Sequence, residues 1–99
     1  MNMAEKITAW DAAEHLDDEE AVAAYLAAAF EDGDPALIAA AIGDVAKASG
    51  MAKIAEEAGV TREALYKSLS PRGNPRLGTL LPVLKALGMR IDIQPTRHA

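Results

Sequence analysis

The spacing of apolar residues predicts two long amphipathic helices in the first half of the chain. Asp17 and Glu20 have the spacing of a capping box, with Asp17 as the N-cap and Glu20 three residues later, at the start of the first long helix. This helix is expected to end at Gly33. A shorter helix is expected before it, over residues 8–16. The inward face of the long helix is expected to consist of Val22, Tyr25, Leu26, Ala29 and Phe30.

The second long helix is predicted to begin at Asp34 and Pro35 and to end at Gly50. An aspartate accepts hydrogen bonds from the free amides of a first turn, and a proline at the first helical position has no amide proton to leave unpaired. The inner stripe of this helix is expected to be Leu37, Ile38, Ala41, Ile42 and Val45.

In the second half of the chain the predicted helices are short. One spans Met51–Ala58 and is bounded by Gly59, and another begins at Thr61 and reaches about Leu69. The serine, proline, glycine and asparagine of residues 70–75 then predict a loop.

A last helix is expected over residues 76–88, followed by a strand. The apolar residues that indicate the helix are Leu77, Leu80, Leu81, Leu84 and Leu87. Pro82 removes one main-chain hydrogen bond, so the helix either kinks there or begins late with Thr79 as its cap. Residues 89–94 then alternate between apolar and polar side chains, which is the period of a half-buried β-strand.

The composition favours a single all-α domain over residues 1–99. A chain of 99 residues, 51% of them hydrophobic, suffices for one core but not for two. The 22 alanines and four aromatic residues favour closely packed helices over a sheet. We therefore expect a compact domain of five to six helices with one short C-terminal β-strand.

Residue content disfavours several classes of function. The chain has no cysteine, which excludes disulfides and thiolate metal sites, and no apolar stretch long enough to cross a membrane, so a cytoplasmic protein is expected. His15 and His98 are the only imidazoles, and no catalytic motif accompanies them. The acidic run 17–20 does not predict a cation site, because consecutive helical side chains point in different directions. We expect no enzymatic activity, no metal and no cofactor.

The net charge of −5 conceals a marked asymmetry along the chain. Residues 1–50 hold two lysines against eleven acidic residues, a net charge of −9, whereas residues 51–99 hold eight basic residues against four acidic ones, a net charge of +4. One half could therefore face a basic partner and the other a polyanion, or both could be ordinary solvated surfaces.

The segment MAKIAEEAGVTREALYKSLS, residues 51–70, resembles the helix-turn-helix of the phage repressor and Cro type. Two short helices that meet at a steep angle need a small residue at their closest approach, and Ala55 occupies that position. Gly59 lies four residues later, where the turn needs a residue that tolerates a positive φ. Ser68 stands at a usually apolar position, and Leu69 beside it is expected to compensate. The apolar anchors of the motif are Ile54, Ala58, Val60 and Leu65.

In this motif the first residues of the second helix enter the major groove of DNA. The residues expected to contact DNA are Thr61, Arg62, Glu63, Tyr66 and Lys67 on that helix, and Arg72 and Arg76 in the loop after it. Arginine can bind guanine through two hydrogen bonds, lysine can contact guanine or phosphate, and hydroxyl groups suit the DNA backbone. Residues 61–76 carry four cations against Glu63 alone, a net charge of +3. The alternative is a generic corner of two helices that serves only in packing.

A wider resemblance runs from Trp10 to about Pro95. The stretches EDGDPALIAAAIGDVAKASGM and REALYKSLSPRGNP are the most specific parts of a sequence that resembles the probable addiction-module antidote family, the antitoxins of type II toxin–antitoxin pairs. The resemblance implies a repressor-like fold, a RelE/ParE-like toxin as partner, and binding to operator DNA that represses the operon. Pro82 departs from the polar residue expected at its position, which concerns the geometry of the last helix.

The partners follow from this resemblance and from the charge pattern. Such toxins are generally basic, so the acidic residues 1–50 are expected to cover the toxin's active face. Two alternatives stay open: a stand-alone phage-type transcription regulator, and a protein-binding module that does not touch DNA.

The strand predicted over residues 89–94 needs a partner, because a lone strand leaves its amides and carbonyls unpaired. The preferred partner is the same strand of a second copy, in a homodimer. An edge of the toxin's sheet is the alternative.

Overall fold

The computed structural model describes residues 18–96, which form five helices. The helices are α1 (Glu19–Asp32), α2 (Pro35–Ser49), α3 (Met51–Ala58), α4 (Arg62–Ser68) and α5 (Leu77–Ala86). The all-α fold class is confirmed. The helix predicted over residues 8–16, with Trp10 and His15, lies outside the described residues, as does His98. None of the helices in residues 18–96 combines the length and the apolar character needed to cross a membrane.

The first two helices begin and end at local signals. The Asp18 carboxylate accepts a hydrogen bond from the Ala21 amide at 3.1 Å, so Asp18, and not Asp17 as predicted, caps α1. Gly33 ends α1 in the left-handed conformation (φ 84°), as predicted. The Asp34 carboxylate accepts from the Ala36 amide at 3.0 Å and Pro35 opens α2, so this predicted start is confirmed.

One continuous core joins all five helices. Its largest fully buried side chains come from α2, α3, α4 and α5: Ile42, Val45, Ile54, Leu65 and Val83. Helix α1 packs on α2, and α3 packs on α2, α4 and α5. Burying a side chain of this size stabilises the fold by about 1.5–3 kcal/mol. The short helix α3 therefore lies at the centre of the packing.

A hydrogen bond fastens α1 to α2 beside this core. The Tyr25 hydroxyl donates to the Asp44 carboxylate at 2.6 Å, while the Tyr25 ring is buried among apolar residues. Tyrosine is suited to this position because its ring can be buried while its hydroxyl keeps a polar partner.

Four apolar residues that were predicted to face inward keep a substantial part of their surface exposed. Phe30 and Leu37 are each 36% exposed, Leu77 is 66% exposed and Leu81 is 47% exposed. Within residues 18–96, the helices that pack on α1, α2 and α5 leave these four positions partly or mostly uncovered. Helical spacing identifies a side of a helix, but the width that becomes buried depends on the neighbours.

The last helix begins earlier than the Thr79 alternative requires. Arg76 is the N-cap residue of α5, and its carbonyl accepts from the amides of Thr79 at 2.9 Å and Leu80 at 2.8 Å. Pro82 lies inside the helix. Its missing amide removes the hydrogen bond to the carbonyl of Gly78, and Gly78 is exposed, so water can satisfy that carbonyl.

The predicted strand over residues 89–94 is not formed in the single chain. Residues 89–95 have neither helical nor strand structure. A strand is defined by its pairing, and the described part of the chain contains no second strand with which this segment could pair.

Replacing Leu65 with alanine should lower the free energy of unfolding by about 2–5 kcal/mol, because the neighbours of a fully buried leucine fill the resulting cavity only in part. Chemical denaturation followed by circular dichroism measures the change. Lys53→Ala, at an exposed position of α3, is the control and should change the free energy by less than about 0.5 kcal/mol. A loss for Leu65→Ala as small as that of the control would contradict the packing of α4 against the core.

Candidate nucleic-acid interface

The turn between α3 and α4 is tight and closed by main-chain hydrogen bonds. Gly59 ends α3 in the left-handed conformation (φ 77°), and the Val60 amide donates to the Ala55 carbonyl at 3.0 Å. This pairing is the Schellman arrangement that commonly ends a helix. Ala55, expected at the closest approach, is 1% exposed. The turn therefore holds α4 in a defined position relative to α3.

Helix α4 begins at a side-chain cap and has two distinct faces. The Thr61 hydroxyl accepts a hydrogen bond from the Ala64 amide at 3.0 Å, so one of the predicted site residues also caps the helix. Leu65 and Leu69 are buried, and Leu69 takes up the apolar role that Ser68 does not fill. The opposite face is exposed and carries Arg62, Glu63, Tyr66 and Lys67.

Arg62 and Tyr66 form a stacked pair on the exposed face. The Arg62 guanidinium carbon lies 5.4 Å from the centroid of the Tyr66 ring, one turn further along the helix. A cation over an aromatic face at an exposed site gains about 0.5–1 kcal/mol. This contact restricts the long arginine side chain and leaves hydrogen-bonding groups of its guanidinium available at the surface.

The loop after α4 packs tightly on the end of that helix. The Ser70 hydroxyl donates to the Lys67 carbonyl at 2.9 Å, and the Gly73 amide donates to the Ser70 carbonyl at 2.8 Å. A Cβ atom on Gly73 would lie 2.1 Å from the Ser68 carbonyl oxygen, a distance that no side chain can tolerate. The residue at position 73 must therefore be glycine for the loop to follow this path.

The structure places all seven predicted site residues at the surface. These residues are Thr61, Arg62, Glu63, Tyr66, Lys67, Arg72 and Arg76. Within residues 18–96 it gives a direct side-chain contact for one pair of them, Arg62 with Tyr66. The other five residues are near one another because they lie on α4, at its N-cap or in the loop that follows it.

Two residues that sequence reasoning passed over belong beside this surface. Gly73 sets the path of the loop because a side chain there would overlap the Ser68 carbonyl. From the sequence, Gly73 between Arg72 and Asn74 predicts a turn but not this close contact. Lys47 of α2 lines a shallow pocket together with Tyr66 and Ser70. No local pattern could have placed Lys47 there, because it lies in the acidic half of the sequence and approaches α4 only through the fold.

The two largest groups of exposed charge, one acidic and one basic, lie on different elements. The exposed acidic residues Glu19 and Glu20 open α1, and Glu31, Asp32 and Asp34 surround the corner between α1 and α2. Residues 61–76 on α4 and the following loop carry the net charge of +3. In residues 18–96, no group of three acidic or histidine side chains is placed to share a metal ion.

Comparison with protein families identifies the family of this chain. The model of the family described as probable addiction module antidote protein matches residues 6–95. The chain therefore belongs to this family. Membership indicates the role of an antitoxin and, in general terms, a toxin as partner.

An uncharacterised protein of Haemophilus influenzae is 42% identical to this antidote-family chain over 97 residues, which cover 98% of this chain and 100% of the relative. No solved structure matches the chain.

Two glycines near this surface should respond in opposite directions to the same substitution. Gly73→Ala should lower the free energy of unfolding by about 1–3 kcal/mol, because the new methyl group would overlap the Ser68 carbonyl. Gly78→Ala should raise it by about 0.4–1 kcal/mol, because nothing lies within 4 Å of its Cβ position and alanine favours the helix. Thermal and chemical denaturation measure both. An equal effect of the two substitutions would contradict the close packing of the loop at Gly73.

Proposed function

We propose that this protein is the antitoxin of a type II toxin–antitoxin pair that neutralises a RelE/ParE-like toxin and represses its own operon by binding operator DNA. The DNA-binding part of this proposal is supported by α4, which exposes a polar face while Leu65 and Leu69 bury its other face in the core. Family membership supports the antitoxin part. Antitoxins of this kind are not typically enzymes, and the function proposed requires no catalytic group.

Helix α4 is proposed to enter the major groove as a recognition helix. Its rigid attachment through Leu65 and Leu69 leaves the opposite face free to meet base edges. Arg62, held along the helix by Tyr66, is suited to two hydrogen bonds with guanine. Lys67 is suited to guanine or phosphate, and Arg72 and Arg76 to phosphates beside the groove.

The acidic side chains of α1 and of the α1–α2 corner are the proposed contact for the toxin. They are exposed and lie on elements other than α4. A basic toxin would be drawn to them over a distance of about 8–10 Å at ordinary salt concentration. With the toxin on this surface, α4 stays free, so toxin and operator can bind at the same time.

A homodimer is proposed as the DNA-binding form. A two-fold axis between copies would place two α4 helices for successive major grooves, about 34 Å apart, and the operator would then be an inverted repeat. The C-terminal segment is the proposed dimer contact.

Removing the basic side chains of α4 should weaken DNA binding in two different ways. Arg62→Ala should cost about 1–3 kcal/mol and relax the preference for one base if its contact is bidentate, and Lys67→Ala should reduce the salt dependence by about one unit if its contact is to phosphate. Fluorescence anisotropy at several salt concentrations measures both, with a duplex from the region upstream of the gene and an unrelated duplex of equal length.

Lys85→Ala is the matched control for this titration, because it removes one exposed cation from α5, outside residues 61–76. It should leave the affinity and the salt dependence nearly unchanged. Unchanged binding by the Arg62→Ala/Lys67→Ala double variant would overturn the assignment of α4 as the recognition helix.

Reversing two acidic side chains of α1 should slow association with the toxin more than it speeds dissociation, because the charges act mainly during approach. The variant Glu19→Lys/Glu20→Lys leaves the Asp18 cap intact, and Glu56→Lys/Glu57→Lys makes the same change of charge on α3. Stopped-flow measurements with the toxin encoded beside the gene should give a reduced association rate for the α1 variant only. Equal rates for both variants would place the toxin elsewhere.

A further inference from the structure

The segment after α5 leaves the helix at a well-defined point and then makes few contacts. Gly88, with φ 79°, reverses the chain, and the Met89 amide donates to the Leu84 carbonyl at 2.8 Å. Beyond Met89, the only hydrogen bond of this segment within residues 18–96 joins the Ile93 amide to the neighbouring Asp92 carboxylate at 3.0 Å. Apart from the Ile93 amide, the main-chain amides and carbonyls of residues 90–94 are therefore available to a strand from outside the chain.

The side chains of this segment alternate between apolar and polar, and they border a groove against α1 that has both apolar and polar lining. Met89 is half-buried against the core, whereas Ile91 is 43% and Ile93 is 90% exposed. Met89 and Ile91 line a groove of about 620 Å³ against α1, whose lining also includes the apolar Phe30 and, in the single chain, the polar residues Glu31, Arg90, Asp92 and Gln94. An almost fully exposed isoleucine beside a groove with an exposed phenylalanine indicates apolar surface that a partner would cover.

We infer that residues 89–93 pair antiparallel with the same residues of a second copy of this chain, with Ile91 on the two-fold axis. Directly opposite residues in an antiparallel pair have their side chains on the same face. In this register Arg90 lies opposite Asp92 of the second copy, twice per dimer, and Met89 lies opposite Ile93 of the second copy. The exposed Ile93 is thereby brought to the groove of the other copy, beside its Met89.

Charge complementarity selects this register among its neighbours. A shift of two residues in one direction places Asp92 opposite Asp92, and a shift in the other direction places Arg90 opposite Arg90. A shift of one residue places Ile91 opposite Asp92 and divides the apolar face. Pro95 has no amide hydrogen and so ends the pairing soon after Ile93.

Charge reversal tests the register directly. This inference rests on the proposed homodimer, and measuring the mass of the full chain without DNA or toxin separates it from the rest of the proposed function. Arg90→Asp and Asp92→Arg should each weaken dimerisation about tenfold or more, since both ion pairs of the dimer become repulsive. An equimolar mixture of the two variants should dimerise again, because every opposed pair is then of opposite charge.

Analytical ultracentrifugation over a range of concentrations gives the dimerisation constants, and circular dichroism checks that each variant keeps its helices. Lys85→Asp is the matched control, with the same change of charge on α5 and no opposed charge in this register, and it should dimerise like the original chain. A full chain that stays monomeric, or a dimer insensitive to both reversals, would overturn the inference. Two weakened variants that do not recover on mixing would overturn the register.

Discussion

The position of α4 depends on the packing of its two buried leucines against α2 and α3. A helix of seven residues is too short to be stable alone in water, so α4 exists because Leu65 and Leu69 are buried. Gly43 of α2 is buried, and a Cβ atom there would lie 3.1 Å from the Leu69 carbonyl oxygen. The end of α4 therefore lies directly on the α2 backbone. The exposed face of α4, the stacked Arg62 and the path of the following loop all depend on this contact.

Helix ends could be predicted from the sequence because they are decided by local chemistry. A capping residue interacts with amides and carbonyls only a few positions away, so its type and position suffice to predict a helix end. The C-caps Gly33 and Gly59 and the N-caps Asp34 and Thr61 are examples. The error of one residue at the start of α1 has the same origin. Two adjacent aspartates can each cap a helix, and the choice between them depends on geometry that the sequence does not contain.

Burial at the edges of helices and the surroundings of the candidate site could not be predicted in the same way. Phe30 and Leu77 have the spacing of core residues, yet they lie beyond the faces that neighbouring helices cover. Lys47 joins the surface beside Tyr66 only because α2 passes next to α4. The exposure of the α4 residues could be predicted from the sequence, since residues one helical turn apart share a face: Leu65 and Leu69 are buried, whereas Arg62 and Tyr66 are exposed. The predicted strand is absent from the single chain because a strand forms only when two segments pair.

In the proposed DNA complex, the segregation of charge would orient this protein as it approaches DNA. At long range the net charge of −5 makes the phosphates of DNA repel this chain. Attraction is therefore possible only near a surface whose local electrostatic potential is positive. Solvent ions screen charges over about 8–10 Å. The repulsion between the acidic residues of α1 and the phosphates is therefore weakest when α1 is turned away from the DNA. For the proposed recognition helix, this field would favour approach with α4 and the loop after it leading. In the proposed complex, the same separation turns the acidic elements towards solvent, where a basic partner can reach them.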